Sequence, residues 1–194
     1  MIRETVSVTF INQDGGNMLQ FRPLVKLFFL TLSIHALFAS DDKLDRLKTL
    51  AANDVEDQAK LIQVMVDKIY SFGELGFQEV ETSKYLTEIL ENNGFRVEKG
   101  ISGIPTAWMA EWGKGKPVIA LGSDIDGIPK SSQKPGVAFH DPIIEGAPGH
   151  GEGHNSGQAV IVAAAIVVKN LMEKEDINGT VSYTHLTLPT NREV

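Results

Sequence analysis

The run QAVIVAAAIVVKNLMEKE, Gln158 to Glu175, constrains this chain more than any other feature. No charge appears in it before Lys169, and Glu173, Lys174 and Glu175 gather at its far end. Such a run reads as a largely buried helix with one wet end, and other elements have to cover it. Upstream, Val55, Ala59, Ile62, Met65, Val66 and Ile69 recur at three- and four-residue spacing, which predicts an amphipathic helix over Asp54 to Phe72. Asp54 is its candidate N-cap and Gly73 its stop. A second helix is expected over Glu81 to Asn93, with Tyr85, Leu86, Ile89 and Leu90 on one face and Gly94 at its end. Strands are expected at Phe95 to Glu98, at Pro105 to Trp112, and at Val118 to Gly122. The last of these, VIALG, is apolar enough for burial on both faces. Helix, helix, three strands, a long loop and a helix predict an α/β or mixed α+β sheet.

Composition excludes several classes of function. Hydrophobic residues make up 42% of the 194 residues and charged ones 22%, as in ordinary globular proteins. The net charge of -7 and the lack of any basic stripe argue against nucleic acid as a partner. With no cysteine, disulfides and thiolate metal sites are out.

Both ends read as foreign to the fold. Arg22 and Lys26, the apolar Leu27 to Phe38, and the small residues at Ala39-Ser40 form the three parts of a secretory leader over 18–40. The apolar part is too short and interrupted to span a bilayer, which needs about 20 apolar residues. The protein is therefore expected to be exported, with no stable membrane insertion. Residues 1–17 show no periodicity and are expected to be upstream sequence read in error, with the true start at Met18. At the other end, VSYTHLTLPT, Val181 to Thr190, matches one reading frame of a transposon-end sequencing adapter. Residues 181–194 are accordingly set aside from the fold, although Val181, Tyr183, Leu186 and Leu188 would also suit a strand.

Chemistry concentrates in the irregular stretch Asp124 to Ser156. SDIDGIP, Ser123 to Pro129, follows VIALG directly, where open α/β sheets bind ligands. Asp124 and Asp126 would point the same way if the extended backbone continues; a plain Asp-Gly-Pro turn is the alternative. A calcium loop is excluded because Ile128 stands where an oxygen ligand is needed. GHGEGHNSG, Gly149 to Gly157, lacks the lysine of a phosphate-binding P-loop and the spacing of a dinucleotide fingerprint. What remains is imidazole, carboxylate, imidazole entering a helix. That set suits zinc, manganese or similar ions, with a flexible loop of solvated histidines as the other reading.

LGFQE at Leu75 to Glu79, GSDIDGIP at Gly122 to Pro129 and APGHGEGHNSG at Ala147 to Gly157 together resemble the aminoacylase/carboxypeptidase family of two-metal peptidases. The similarity runs over roughly Leu61 to Thr180 and is nearest to the amidohydrolase branch, which includes aminobenzoyl-glutamate, hippurate and indoleacetyl-amino-acid hydrolases. It implies a zinc-peptidase-like catalytic domain over 41–180, a mixed sheet flanked by helices, cut before an inserted lid. It also implies two divalent ions (manganese or zinc, with cobalt possible), a small amide as substrate, and a homodimer of the full-length protein. On this resemblance His154 is a metal ligand, and Glu152 replaces a cysteine ligand. Asp126 supports the site from behind the ligands, and Asp124 stands where other branches carry a ligand histidine. His150 matches a histidine that is not a ligand, and Asn155 stands where many members have aspartate. A carboxylate at 152 is a harder donor than a thiolate and should favour manganese over zinc. The family's general base belongs to a Glu-Glu pair beyond Thr180, as do a further histidine ligand and the lid. The implied function is metal-dependent hydrolysis of an N-acyl amino acid or similar amide by the parent protein, the chain itself being an inactive part. The alternative is a relative that binds metal or peptide without catalysis.

Overall fold

The computed structural model describes residues 42–185. The expected leader over 18–40 and residues 1–17 and 186–194 lie outside the described residues. The chain divides into two compact units, Met1–Asp45 and Arg46–Val194, and the second carries the sheet and the motifs.

Within it, residues 46–57 are helical (α1) and α2 spans Ala59–Phe72. The helix expected from Asp54 thus begins earlier, and Asp54 is not its N-cap. The boundary is Gln58, whose φ of -92° and ψ of 0° interrupt the helix without any glycine or proline. Asp54 instead accepts hydrogen bonds from Gln58 Nε2 at 3.2 Å and Asn170 Nδ2 at 3.0 Å. Gly73 ends α2 in the left-handed conformation, φ 55°, as its position predicts. Helix α3, Val80–Asn92, buries Leu86 and Leu90 as the spacing requires. Each such side chain contributes about 1.5–3 kcal/mol through burial.

The strands are β1 (Arg96–Lys99), β2 (Trp108–Lys114), β3 (Val118–Ser123) and β4 (Gly179–His185). They form one mixed sheet in the order β1-β2-β4-β3. β2 lies antiparallel to β1 and β4, whereas β3 and β4 are parallel. Between these two runs α4, His154–Lys174, the predicted buried helix. It is long and apolar enough to cross a membrane by length and composition, but half of that stretch is buried inside the fold. Val162, Ala165 and Ile166 of α4 join Met65 and Ile69 of α2 and Trp108, Val181 and Tyr183 of the sheet in one core. Trp108 meets Tyr183 edge to face, with ring centroids 5.0 Å apart.

Two expectations are corrected. VIALG is not buried on both faces: β3 is an edge strand, with Val118 55% and Ile119 37% exposed. Among the described residues only β4 lies beside it, and an apolar sequence alone does not bring cover. Residues 181–185, set aside with the rest of 181–194, form most of β4. Val181, Tyr183 and His185 face the core in strict alternation there. Their β-branched and aromatic side chains fit the half-open slot between β2 and β3, whatever the origin of that stretch.

Candidate metal centre

The three sequence motifs are stitched together by main chain. Leu75 bridges Gly127 in parallel, and Ile128 bridges Gly149 in antiparallel fashion. Gly127 N–H donates to Glu74 O at 2.6 Å, while Ile128 and Gly149 exchange bonds of 2.9 and 3.1 Å. Glycine is required at these crossings. A Cβ on Gly149 would lie 2.3 Å from Ser131 O, and one on Gly127 2.9 Å from Gly149 O. The rest of the loop folds on itself. Lys134 pairs with Asp141 at 2.7 Å, and Tyr70 Oη donates to Gln133 O at 2.8 Å, tying the loop to α2.

The first motif and Glu74 just before it serve this frame. Both oxygens of Glu74 accept from the first amides of α3, Glu81 N at 2.9 Å and Thr82 N at 2.8 Å. Glu79, wholly buried, accepts from Thr106 Oγ1 at 2.8 Å. Neither role follows from the local capping rule, because the cap residue Glu79 makes no side-chain bond to the helix it precedes.

Directly after β3, Ile125 is buried, and Asp124 and Asp126 on either side of it both face His154. The strand itself ends at Ser123, and the two aspartates nonetheless meet the same ring. His154 opens α4 behind Gly153, which takes φ 101°. Its Nδ1 lies 3.0 Å from Asp126 O and 3.2 Å from Asp126 Oδ1. A carbonyl oxygen only accepts, so the proton sits on Nδ1 and the lone pair on Nε2. Facing Nε2 is Asp124 Oδ2 at 3.9 Å. Glu152 Oε1 lies 3.4 Å from His154 Nδ1, 3.4 Å from the His154 amide and 3.4 Å from His150 Nδ1. The positive end of the α4 dipole adds to the field around these carboxylates. Asn155 turns away into the fold, its Nδ2 reaching Val66 O at 3.4 Å.

The donors suit a divalent ion. An imidazole held at one nitrogen by a carbonyl and a carboxylate, with the other nitrogen turned away from them, is the usual arrangement of a metal-binding histidine. Bonds of about 2.0–2.2 Å to each donor span up to roughly 4.2 Å across a shared ion, which accommodates the Asp124 to Nε2 separation. Among the described residues, no three or more acidic or histidine side chains are placed so that they could together hold a metal ion, so the cluster is open.

Sequence reasoning also missed the far end of the sheet. Ser123 Oγ and Tyr183 Oη share a 2.6 Å hydrogen bond, and His185 Nδ1 reaches Ser123 O at 3.3 Å. Burial pushes Tyr183 up to about 12, with the Ser123 bond opposing, and lowers His185. Both belong to the stretch that reads as foreign, and no motif marks them.

No family profile matches the chain. It is 38% identical over 119 residues to one of the subunits of p-aminobenzoyl-glutamate hydrolase from Escherichia coli, covering 61% of this chain and 25% of that protein. It is 32% identical over 143 residues to thermostable carboxypeptidase 1 of Saccharolobus solfataricus, covering 72% and 34%. The chain thus spans about a quarter to a third of the length of these relatives. Among solved structures it resembles a dinuclear metal-binding peptidase of the M20 family from Bacillus subtilis, with a TM-score of 0.55 at 25% identity, covering 67% of this chain and 35% of that one. An aminohydrolase from methicillin-resistant Staphylococcus aureus shares the fold, with a TM-score of 0.59 at 20% identity, over 73% and 36% of the two chains. Sequence likeness and shared fold agree with the three motifs that the main chain stitches into one junction, and the chain belongs to the M20 family of peptidases and amidohydrolases.

Proposed function

We propose that this chain forms part of a metal-dependent amidohydrolase that cleaves the amide bond of an N-acyl amino acid or a similar small amide. The observation that carries the reading is the His154 imidazole, held at Nδ1 by Asp126 with Glu152 beside it, and turned at Nε2 toward Asp124. The relatives support it: one is named a p-aminobenzoyl-glutamate hydrolase, and one neighbour is described as dinuclear. His154 and Glu152 would hold the metal, with Asp124 facing His154 Nε2 and Asp126 orienting the ring. Two divalent ions, when bound, supply polarisation of the amide carbonyl and an acidified water. Asp126 keeps the His154 proton on Nδ1, so that Nε2 stays a donor of electrons. Glu152, a hard oxygen donor, favours manganese, with zinc or cobalt also accepted. The leader-like 18–40 supports export.

The test is metal removal from the intact protein, extended to the length of its relatives. Chelation should abolish release of the amine from N-acyl amino acids and from p-aminobenzoyl-glutamate, and manganese should restore it. Hydrolysis that survives complete removal of metal would sink the proposal. The open cluster favours a second reading, a relative that binds metal or peptide without catalysis. Stoichiometric metal binding with no turnover of any amide would select it.

A further inference from the structure

Of the two histidines in GHGEGHNSG, His150 is the one that the proposed ligand set does not use. Its side chain has no exposure to solvent, although it sits in a loop between two glycines. Burying an imidazole is unfavourable unless its polar atoms are bonded. Only one of the two is: Nδ1 lies 3.4 Å from Glu152 Oε1, while Nε2 is buried with no partner among the described residues. A carboxylate accepts, so the proton belongs on Nδ1, and Nε2 is a bare lone pair rather than a stranded N–H.

On the other side of the same oxygen is the backbone amide of His154, also at 3.4 Å. Glu152 Oε1 therefore meets both of these donors and His154 Nδ1, also at 3.4 Å, and Oε2 receives no hydrogen bond among the described residues. The loop is braced where it would have to give. A Cβ on Gly151 would lie 3.0 Å from Ile128 Cδ1 and 3.3 Å from Ser131 Oγ, so the main chain is pressed onto residues 128–131 and His150 stays inside.

We propose that His150 is a positioning residue: its buried Nδ1–H holds Glu152 by Oε1 and leaves Oε2 to face the metal. The inference rests on the reading of Glu152 as a ligand and goes beyond it by naming what aims that ligand. Hydrogen bonds behind a ligand typically matter 10–100-fold in metal affinity.

Three variants of the intact protein test it, with manganese(II) affinity read by paramagnetic resonance and the cobalt(II)-loaded form by its visible absorption. His150→Leu keeps the volume and removes the donor. It should weaken manganese binding about 10- to 100-fold and shift the cobalt bands. His150→Asn places an amide N–H near the position of Nδ1 and should restore most of the affinity. Loss in Glu152→Ala with wild-type behaviour in His150→Leu would overturn the positioning role and leave the ligand reading standing. Wild-type affinity in Glu152→Ala would remove the ligand reading and this inference with it. Equal loss in His150→Leu and His150→Asn would show a role in shape alone and overturn the donation. If His150→Leu does not fold, His150→Asn decides: near-native affinity supports the proposal, and a tenfold loss ends it.

Discussion

Glu74 just before the first motif and Glu79 at its end contrast with Glu152 in the third, and the fold uses the two sets in opposite ways. Glu74 gives both oxygens to the amides of α3, and Glu79 is buried against Thr106. Glu152 gathers its contacts on one oxygen, and its side chain remains 23% exposed. A carboxylate that builds a frame satisfies its lone pairs within the protein. One that serves a site keeps a lone pair in reserve, and the protein gains less stability from it.

The contrast can be broken by mutation. Glu79→Ala should cost the most, about 2–4 kcal/mol, because it opens a cavity and leaves the Thr106 hydroxyl buried without its acceptor. Urea unfolding measures this, and a loss below about 1 kcal/mol would make Glu79 a bystander. Glu74→Ala should cost about 1 kcal/mol, the ordinary value of a lost helix cap. Faster hydrogen exchange at the Glu81 and Thr82 amides would localise it. A smaller, pH-dependent effect comes from His185, buried in β4. Burial lowers its folded pKa below 6.5, against the pull of Ser123 O and the nearby carboxylates. Below pH 6.5 the unfolded chain then binds the proton more readily, so His185's contribution is intact above that pH and is lost as pH falls toward the lowered value. His185→Phe should flatten that part of the stability profile; an unchanged profile would show that β4 does not bury this ring. Smallest of all, Glu152→Ala should change the stability of the metal-free protein by less than about 0.5 kcal/mol. A loss comparable to that of Glu79→Ala would erase the distinction.

What can be read in the sequence depends on whether its cause is local. Helices α2, α3 and α4 announce themselves through spacing, since Met65 with Ile69 and Leu86 with Leu90 are four residues apart and face one core. The break at Gln58 has no such signature, because neither glycine nor proline marks it. The exposure of β3 escapes the sequence because cover depends on which elements lie beside a strand, and an apolar run does not carry that information. The approach of Asp126 to His154, 28 residues apart, cannot be derived from either motif alone. Resemblance points to the residues; the bridges at Gly127 and Gly149 explain physically why they meet. The capping by Glu74 is invisible for the same reason, as it acts seven and eight residues away from the amides it serves.

The bridges among the three motifs have a consequence for how such a site can diverge. Since peptide groups and absent Cβ atoms hold the loops in register, the side chains that project from them are free to change identity without moving the loops. A glutamate at 152, where the amidohydrolase branch resembled by this chain usually has cysteine, is the kind of exchange that such a scaffold tolerates. Donor chemistry, and with it metal preference, can then drift one codon at a time while the architecture stays inherited.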